Sequence, residues 1–73
     1  MSRLPTLKPR DVVRALRKAE FIEHHWKASH QYLWHPERKR MTQVSHHPRD
    51  LNRAVLEAII DQAGLTEDEF RSL

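Results

Sequence analysis

The chain has 73 residues, of which 38% are hydrophobic and 32% charged, with a formal net charge of +3 and no cysteine. A chain this short buries only about 60% of its unfolded surface and supports one core, so a single domain over residues 1–73 is expected, and disulfides and thiolate metal sites are excluded. No stretch approaches the roughly 20 apolar residues of a membrane span, and Met1 to Pro9 lacks the apolar centre of a signal peptide, so the expectation is a soluble, cytoplasmic protein with no membrane partner.

Charge is unevenly spread. Residues 1–53 carry 12 Lys/Arg against 5 Asp/Glu, a balance of +7, whereas residues 54–73 carry one against 5, a balance of −4. The split favours an anionic partner for the first part, with nucleic acid foremost, because phosphate backbones bind Lys/Arg surfaces without regard to sequence. An unevenly charged solvated surface is the plainer alternative.

In chain order, Pro9 suits a first helical position, Asp11 suits the positive end of the helix, and Val12, Val13, Leu16 and Ala19 recur at helical spacing, predicting an amphipathic helix over Pro9 to Ala19. Its other face carries Arg10, Arg14, Arg17 and Lys18, the ordinary solvent face of such a helix and also a candidate phosphate surface. Phe21 to Trp26 reads as a strand, and after a break at Lys27 and Ala28 the pattern resumes over Ser29 to Trp34. Pro36-Glu37-Arg38-Lys39 forms a turn with proline at its second position if His35 leads it, and Arg40 to Val44 reads as a third strand, completing a three-stranded antiparallel meander.

A second helix runs from Asn52, a candidate N-cap, to Ala63, with Val55, Leu56, Ile59, Ile60 and Ala63 as its apolar stripe and Gly64 as its stop. Thr66 and Glu69 form a capping-box pattern with Leu65 and Phe70 as a hydrophobic staple, predicting one short helical turn to about Ser72. The order helix, three strands, helix gives an α+β fold, α-β-β-β-α. If both helices pack on one face of the sheet, the other stays open, as in double-stranded RNA-binding domains. Trp26, Tyr32 and Trp34 alternate along strands, and packing against the helices is preferred for them over stacking on bases.

His30 opens the second predicted strand, with Arg38, Lys39 and Arg40 downstream and the pair His46-His47 beyond. This places a proton-transfer group among residues that attract phosphate. RNA is cleaved without metal when a base takes the proton of the 2′-hydroxyl, which then attacks the adjacent phosphate, and histidine suits that role near neutral pH. Nearby cations, with Lys27, Arg38, Lys39 and Arg40 as candidates, would stabilise the developing charge. A metal site made of His24 with His25, or His46 with His47, is not expected, because adjacent residues on a strand point to opposite faces. His24, His25, His35 and His47 are expected at the surface.

Several stretches together carry a resemblance: Leu7-Lys8-Pro9-Arg10-Asp11-Val12-Val13-Arg14-Ala15-Leu16 leading to Ala19-Glu20-Phe21, then Ser29-His30, then His46 followed by Asp50-Leu51, and finally Leu56 to Leu65 ending Gln62-Ala63-Gly64-Leu65. In this order and spacing the chain resembles the HicA family of mRNA interferase toxins over nearly its whole length. The resemblance implies a compact fold like the double-stranded RNA-binding domain, cleavage of mRNA by the histidine of a Gly-Ser-His turn, here His30, and neutralisation by a HicB-type antitoxin. It also matches His46 to a recurring histidine of the family, for which hydrogen bonding to phosphate or orienting His30 and a helix-entry or interface role are both open.

Three departures stand out. Ala28 replaces the turn glycine, Gln43-Val44 replaces Val-Pro before the second histidine, and Pro48 and Ala54 replace glycines flanking the second helix. Alanine resists the positive φ that glycine supplies, so a fold-retaining RNA- or antitoxin-binding module with weakened or lost cleavage is the alternative. Together these readings make His30 the catalytic candidate and Lys27, Ser29, Arg38, Lys39, Arg40 and His46 the candidate RNA-contacting residues, with no metal and no cofactor.

Overall fold

A computed structural model of the chain describes residues 6–46 and 51–73; His47 and Pro48, singled out above, lie outside them. The elements are α1 (Pro9–Lys18), β1 (Ile22–Lys27), β2 (His30–His35), β3 (Arg40–Ser45), α2 (Arg53–Ala63) and α3 (Glu67–Arg71). The expected α-β-β-β-α order and antiparallel sheet are present, in the spatial order β1-β2-β3.

α1 begins at Pro9, carries Asp11 in its first turn, and buries Val12, Val13 and Leu16. It ends in a pair of bonds, Phe21 N–H to Leu16 C=O at 3.0 Å and Glu20 N–H to Arg17 C=O at 3.0 Å. Glu20 stands in the left-handed region, φ 74°, so the chain reverses sharply and delivers Phe21 to the core, 2% exposed. The predicted first strand therefore starts one residue late, because Phe21 belongs to the helix stop.

Both hairpins are antiparallel, and the second is in unbroken register from His30 opposite Ser45 to His35 opposite Arg40. On the helix-facing side lie Gln31, Leu33, His35, Thr42 and Val44, all buried. This face meets Val12, Val13 and Leu16 of α1 and Leu56, Ile59, Ile60 and Ala63 of α2 in one apolar core, closed by Phe21, Leu51 and Phe70. Thr42 ties the sheet to α2, its hydroxyl donating to Gln62 Oε1 at 2.9 Å.

α2 starts where predicted, with Asn52 Oδ1 accepting from Val55 N–H at 2.9 Å, and stops at Gly64, φ 73°. α3 is set by the anticipated capping box, Thr66 N–H to Glu69 Oε1 at 2.8 Å and Glu69 N–H to Thr66 Oγ1 at 3.0 Å. Among the described residues, no helix is long and apolar enough to cross a membrane.

Candidate functional site

With both helices on one side, strand alternation sends the other set of side chains to an open face. Cross-strand register arranges nine of them in three rows: Ile22-Trp34-Met41, His25-Tyr32-Gln43 and Lys27-His30-Ser45. None of the nine is acidic. Opposed residues on such a face hold their Cβ atoms about 4.5–5.5 Å apart, so Lys27 and Ser45 are the immediate neighbours of His30.

His30 owes its place to the turn before it. Lys27 pairs with His30 across the two residues Ala28 and Ser29, and Ala28 adopts φ 54° while Ser29 keeps a negative φ. This is the pattern of a hairpin turn whose first central position favours glycine, so the departure noted in the sequence falls on the one residue of the turn that needs a left-handed backbone. Alanine accepts that conformation here, and His30 follows as the first residue of β2.

α2 lies alongside the edge strand β3. Its Val55, Ala58, Ile59 and Gln62 form the wall of an open groove of about 250 Å³ whose sheet side is His30, Gln43 and Ser45. Gln62 spends its amide oxygen on Thr42, and its two N–H donors have no protein partner among the described residues. Ser45 Oγ is buried beside it without a hydrogen-bond partner among the described residues. The groove thus combines one imidazole, one neighbouring ammonium group and several neutral donors.

A model of the family described as "HicA toxin of bacterial toxin-antitoxin" matches residues 9–65, spanning α1 through α2 and including every residue of the groove. The chain belongs to the HicA toxin family. It is therefore the toxin of a toxin–antitoxin pair, and its partner is an antitoxin. No curated protein matches the chain.

The remaining candidate residues of this HicA toxin are dispersed. His46 follows β3 and lies on the opposite face from His30: its Nε2 donates to Gln31 Oε1 at 2.9 Å, Gln31 Nε2 donates to Glu23 Oε1 at 2.9 Å, and its ring packs on Trp26 with centroids 4.8 Å apart. The carboxylate of Glu23 can only accept, which fixes the Gln31 amide and so puts the proton on His46 Nε2. His46 therefore makes a partner of Gln31, and it is Ser45 that faces His30.

Arg38, Lys39 and Arg40 stand at the far end of β2, five residues or roughly 17 Å along the strand from His30. Arg38 Nη1 donates to Gly64 C=O at 3.4 Å, and the Arg40 guanidinium lies against Gly64. Both cations sit at the negative end of α2, where they complement its dipole. Lys39, φ 55°, forms the left-handed corner of the β2–β3 loop and donates its N–H to His35 C=O at 2.7 Å. Of the seven candidate residues, the structure groups His30 with Lys27 and the turn residue Ser29.

Two expectations about histidines and one about aromatics are corrected. His35 is 5% exposed rather than at the surface, because its Nδ1 accepts the Arg38 N–H at 3.1 Å and its ring meets Phe21 edge-on at 5.2 Å. His24 and His25 do not diverge, because a bulge between Glu23 and His25 breaks the alternation and brings their Nδ1 atoms to 2.6 Å. Tyr32 and Trp34 occupy the open face and Trp26 is 49% exposed, so none of the three joins the core.

Glu20, His35 and Glu37 place potential ligand atoms within 4.8 Å of one another. Metal binding there would cost the Arg38 bond whichever ring nitrogen served: ligation at Nδ1 displaces it, and ligation at Nε2 requires a proton on the accepting Nδ1.

Proposed function

We propose that this toxin is a metal-independent mRNA endoribonuclease in which His30 is the general base, and that a HicB-type antitoxin with an acidic surface neutralises it by covering the His30 face. The observation that carries the reading is the position of His30 at the edge of an open groove, beside Lys27, on a sheet face with no carboxylate among its nine described residues. A nucleotide bridging the groove presents its 2′-hydroxyl to the imidazole. The ring takes the proton, the 2′-oxygen bonds to phosphorus, and the bond from phosphorus to the 5′-oxygen breaks, leaving a 2′,3′-cyclic phosphate and a 5′-hydroxyl that takes its proton from water. Lys27 and the amide donors of Gln43 and Gln62 face the phosphate oxygens as charge builds on them, and Ser29 offers a further hydroxyl. One positioned base supplies about 10²–10⁴ in rate. The substrate sets the cytoplasm as the site of action.

The test is cleavage of a long RNA by the purified chain and by His30→Ala, both with excess chelator. Cleavage by the parent alone, with 2′,3′-cyclic ends, supports the reading, and cleavage by both variants overturns it. A second reading follows from the left-handed Ala28: a folded module that binds antitoxin and RNA without cutting. It is favoured if neither variant cleaves while both bind.

A further inference from the structure

The open face carries more than a cleavage groove requires. Beside Trp34 stand Ile22 and Met41, 53% and 37% exposed, forming an apolar row across all three strands. Exposed aliphatic groups flanking a half-buried indole in so small a domain mark an interaction surface. In the next row the His25 ring lies flat on Tyr32, centroids 4.3 Å apart and planes 7° from parallel, so this face already holds one planar ring against another. Cations stand at both ends, Lys27 beside His30 and Lys39 in the loop just beyond Trp34. Rows are two residues apart along β2, about 7 Å, a step comparable with one extended nucleotide. An apolar protein partner would account for the Ile22-Trp34-Met41 row alone; a polyanion carrying flat rings accounts for all three rows and the absence of carboxylates.

We propose that the open sheet face is a base-stacking track for single-stranded RNA, with bases seated against the His25–Tyr32 stack and against Trp34 and phosphates running from Lys39 towards Lys27, so that the nucleotide entering the groove reaches His30. The proposal rests on the reading of His30 as an RNA-cleaving base. It assigns Tyr32 and Trp34 to substrate binding and to the choice of single-stranded over duplex RNA, because stacking requires unpaired bases.

The test measures binding of a short 2′-O-methyl oligoribonucleotide, which lacks the attacking hydroxyl, and of the same backbone with abasic positions, to the full chain and to Trp34→Leu, Trp34→Phe and Tyr32→Leu. Base–aromatic stacking predicts a loss of about 5- to 100-fold for each Leu variant, retention of most affinity by Trp34→Phe, and weak binding of the abasic strand that the Leu variants leave unchanged. Equal binding of the normal and abasic strands by the parent chain overturns the proposal, and this comparison needs no variant to fold. Loss of antitoxin binding in the Leu variants with RNA affinity unchanged also overturns it, making the face a protein interface. Cleavage is scored separately on the unmodified strand. Aromatic-dependent binding without cleavage supports the track and removes His30 as base, whereas cleavage with binding indifferent to Tyr32 and Trp34 removes the track and leaves His30.

Discussion

Lys27 and His30 stand opposite one another across the turn Ala28-Ser29, so an ammonium group and an imidazole share one end of the open sheet face. Lys39 lies at the other end, in the loop before β3. The two lysines are expected to differ in kind. Lys27→Gln should lower the single-turnover cleavage rate by about tenfold or more, as loss of a group facing developing charge does. Lys39→Ala should leave that rate unchanged and act on affinity alone. Each should flatten the dependence of RNA affinity on salt by about 0.7 to 1 unit of slope. An unchanged slope for either variant removes that lysine from the interface.

Ala28→Gly should stabilise the protein. Alanine at φ 54° meets the steric cost of a left-handed backbone, roughly 1–2 kcal/mol, while glycine returns part of that gain through the freedom it adds to the unfolded chain. A net increase of about 0.5–1 kcal/mol is expected, seen as a rise in Tm of a few degrees at about 4–8 °C per kcal/mol for a domain of this size. Cleavage should change little, since His30 already occupies its place. A fall in Tm would show that the turn is not strained.

What the sequence made legible was what local chemistry decides. Pro9, Asn52, the Thr66/Glu69 box and Gly64 each sit where the backbone groups they satisfy require them. What it hid depends on register and on partners far along the chain. Arg38, Lys39 and Arg40 follow His30 closely in sequence, yet extended β2 carries them to the opposite end of the sheet. The aromatic weight of Tyr32 and Trp34 suggested the core, whereas the core face of β2 is Gln31, Leu33 and His35, two of them polar residues whose burial is possible because Glu23, His46 and the Arg38 N–H complete their hydrogen bonds. The groove was invisible because its wall comes from α2, some 25 residues further on.

The chain of contacts from Glu23 through Gln31 to His46 gives His46 a testable structural role. Gln31 is 4% exposed, and Gln31→Leu would leave the His46 N–H without its acceptor, so about 1–3 kcal/mol of stability should be lost. His46→Ala should cost about 1 kcal/mol, and the double variant should cost less than the sum, because the two residues share one hydrogen bond. Denaturant melts of the four proteins measure the coupling. Simple additivity, together with a large fall in cleavage for His46→Ala alone, would instead place His46 in the chemistry.

Glu20 and Gly64 close α1 and α2 in the same left-handed conformation, φ 74° and 73°, one with a side chain and one without. The pair predicts opposite signs for two substitutions. Glu20→Gly removes the steric cost at the end of α1 and should raise stability by about 0.5–1 kcal/mol, with no effect on RNA binding at the distant Lys27 end. Gly64→Ala incurs that cost and also sets a Cβ 3.1 Å from Arg40 Nε and 3.2 Å from its Cζ, so the guanidinium must shift by a few tenths of an ångström. A loss of about 1–2 kcal/mol is expected, and pairing Gly64→Ala with Arg40→Ala should recover the part due to the clash but not the part due to φ. Thermal melts of the single and double variants separate the two: complete recovery in the double variant would assign the whole penalty to Arg40, and no recovery would assign it to the backbone.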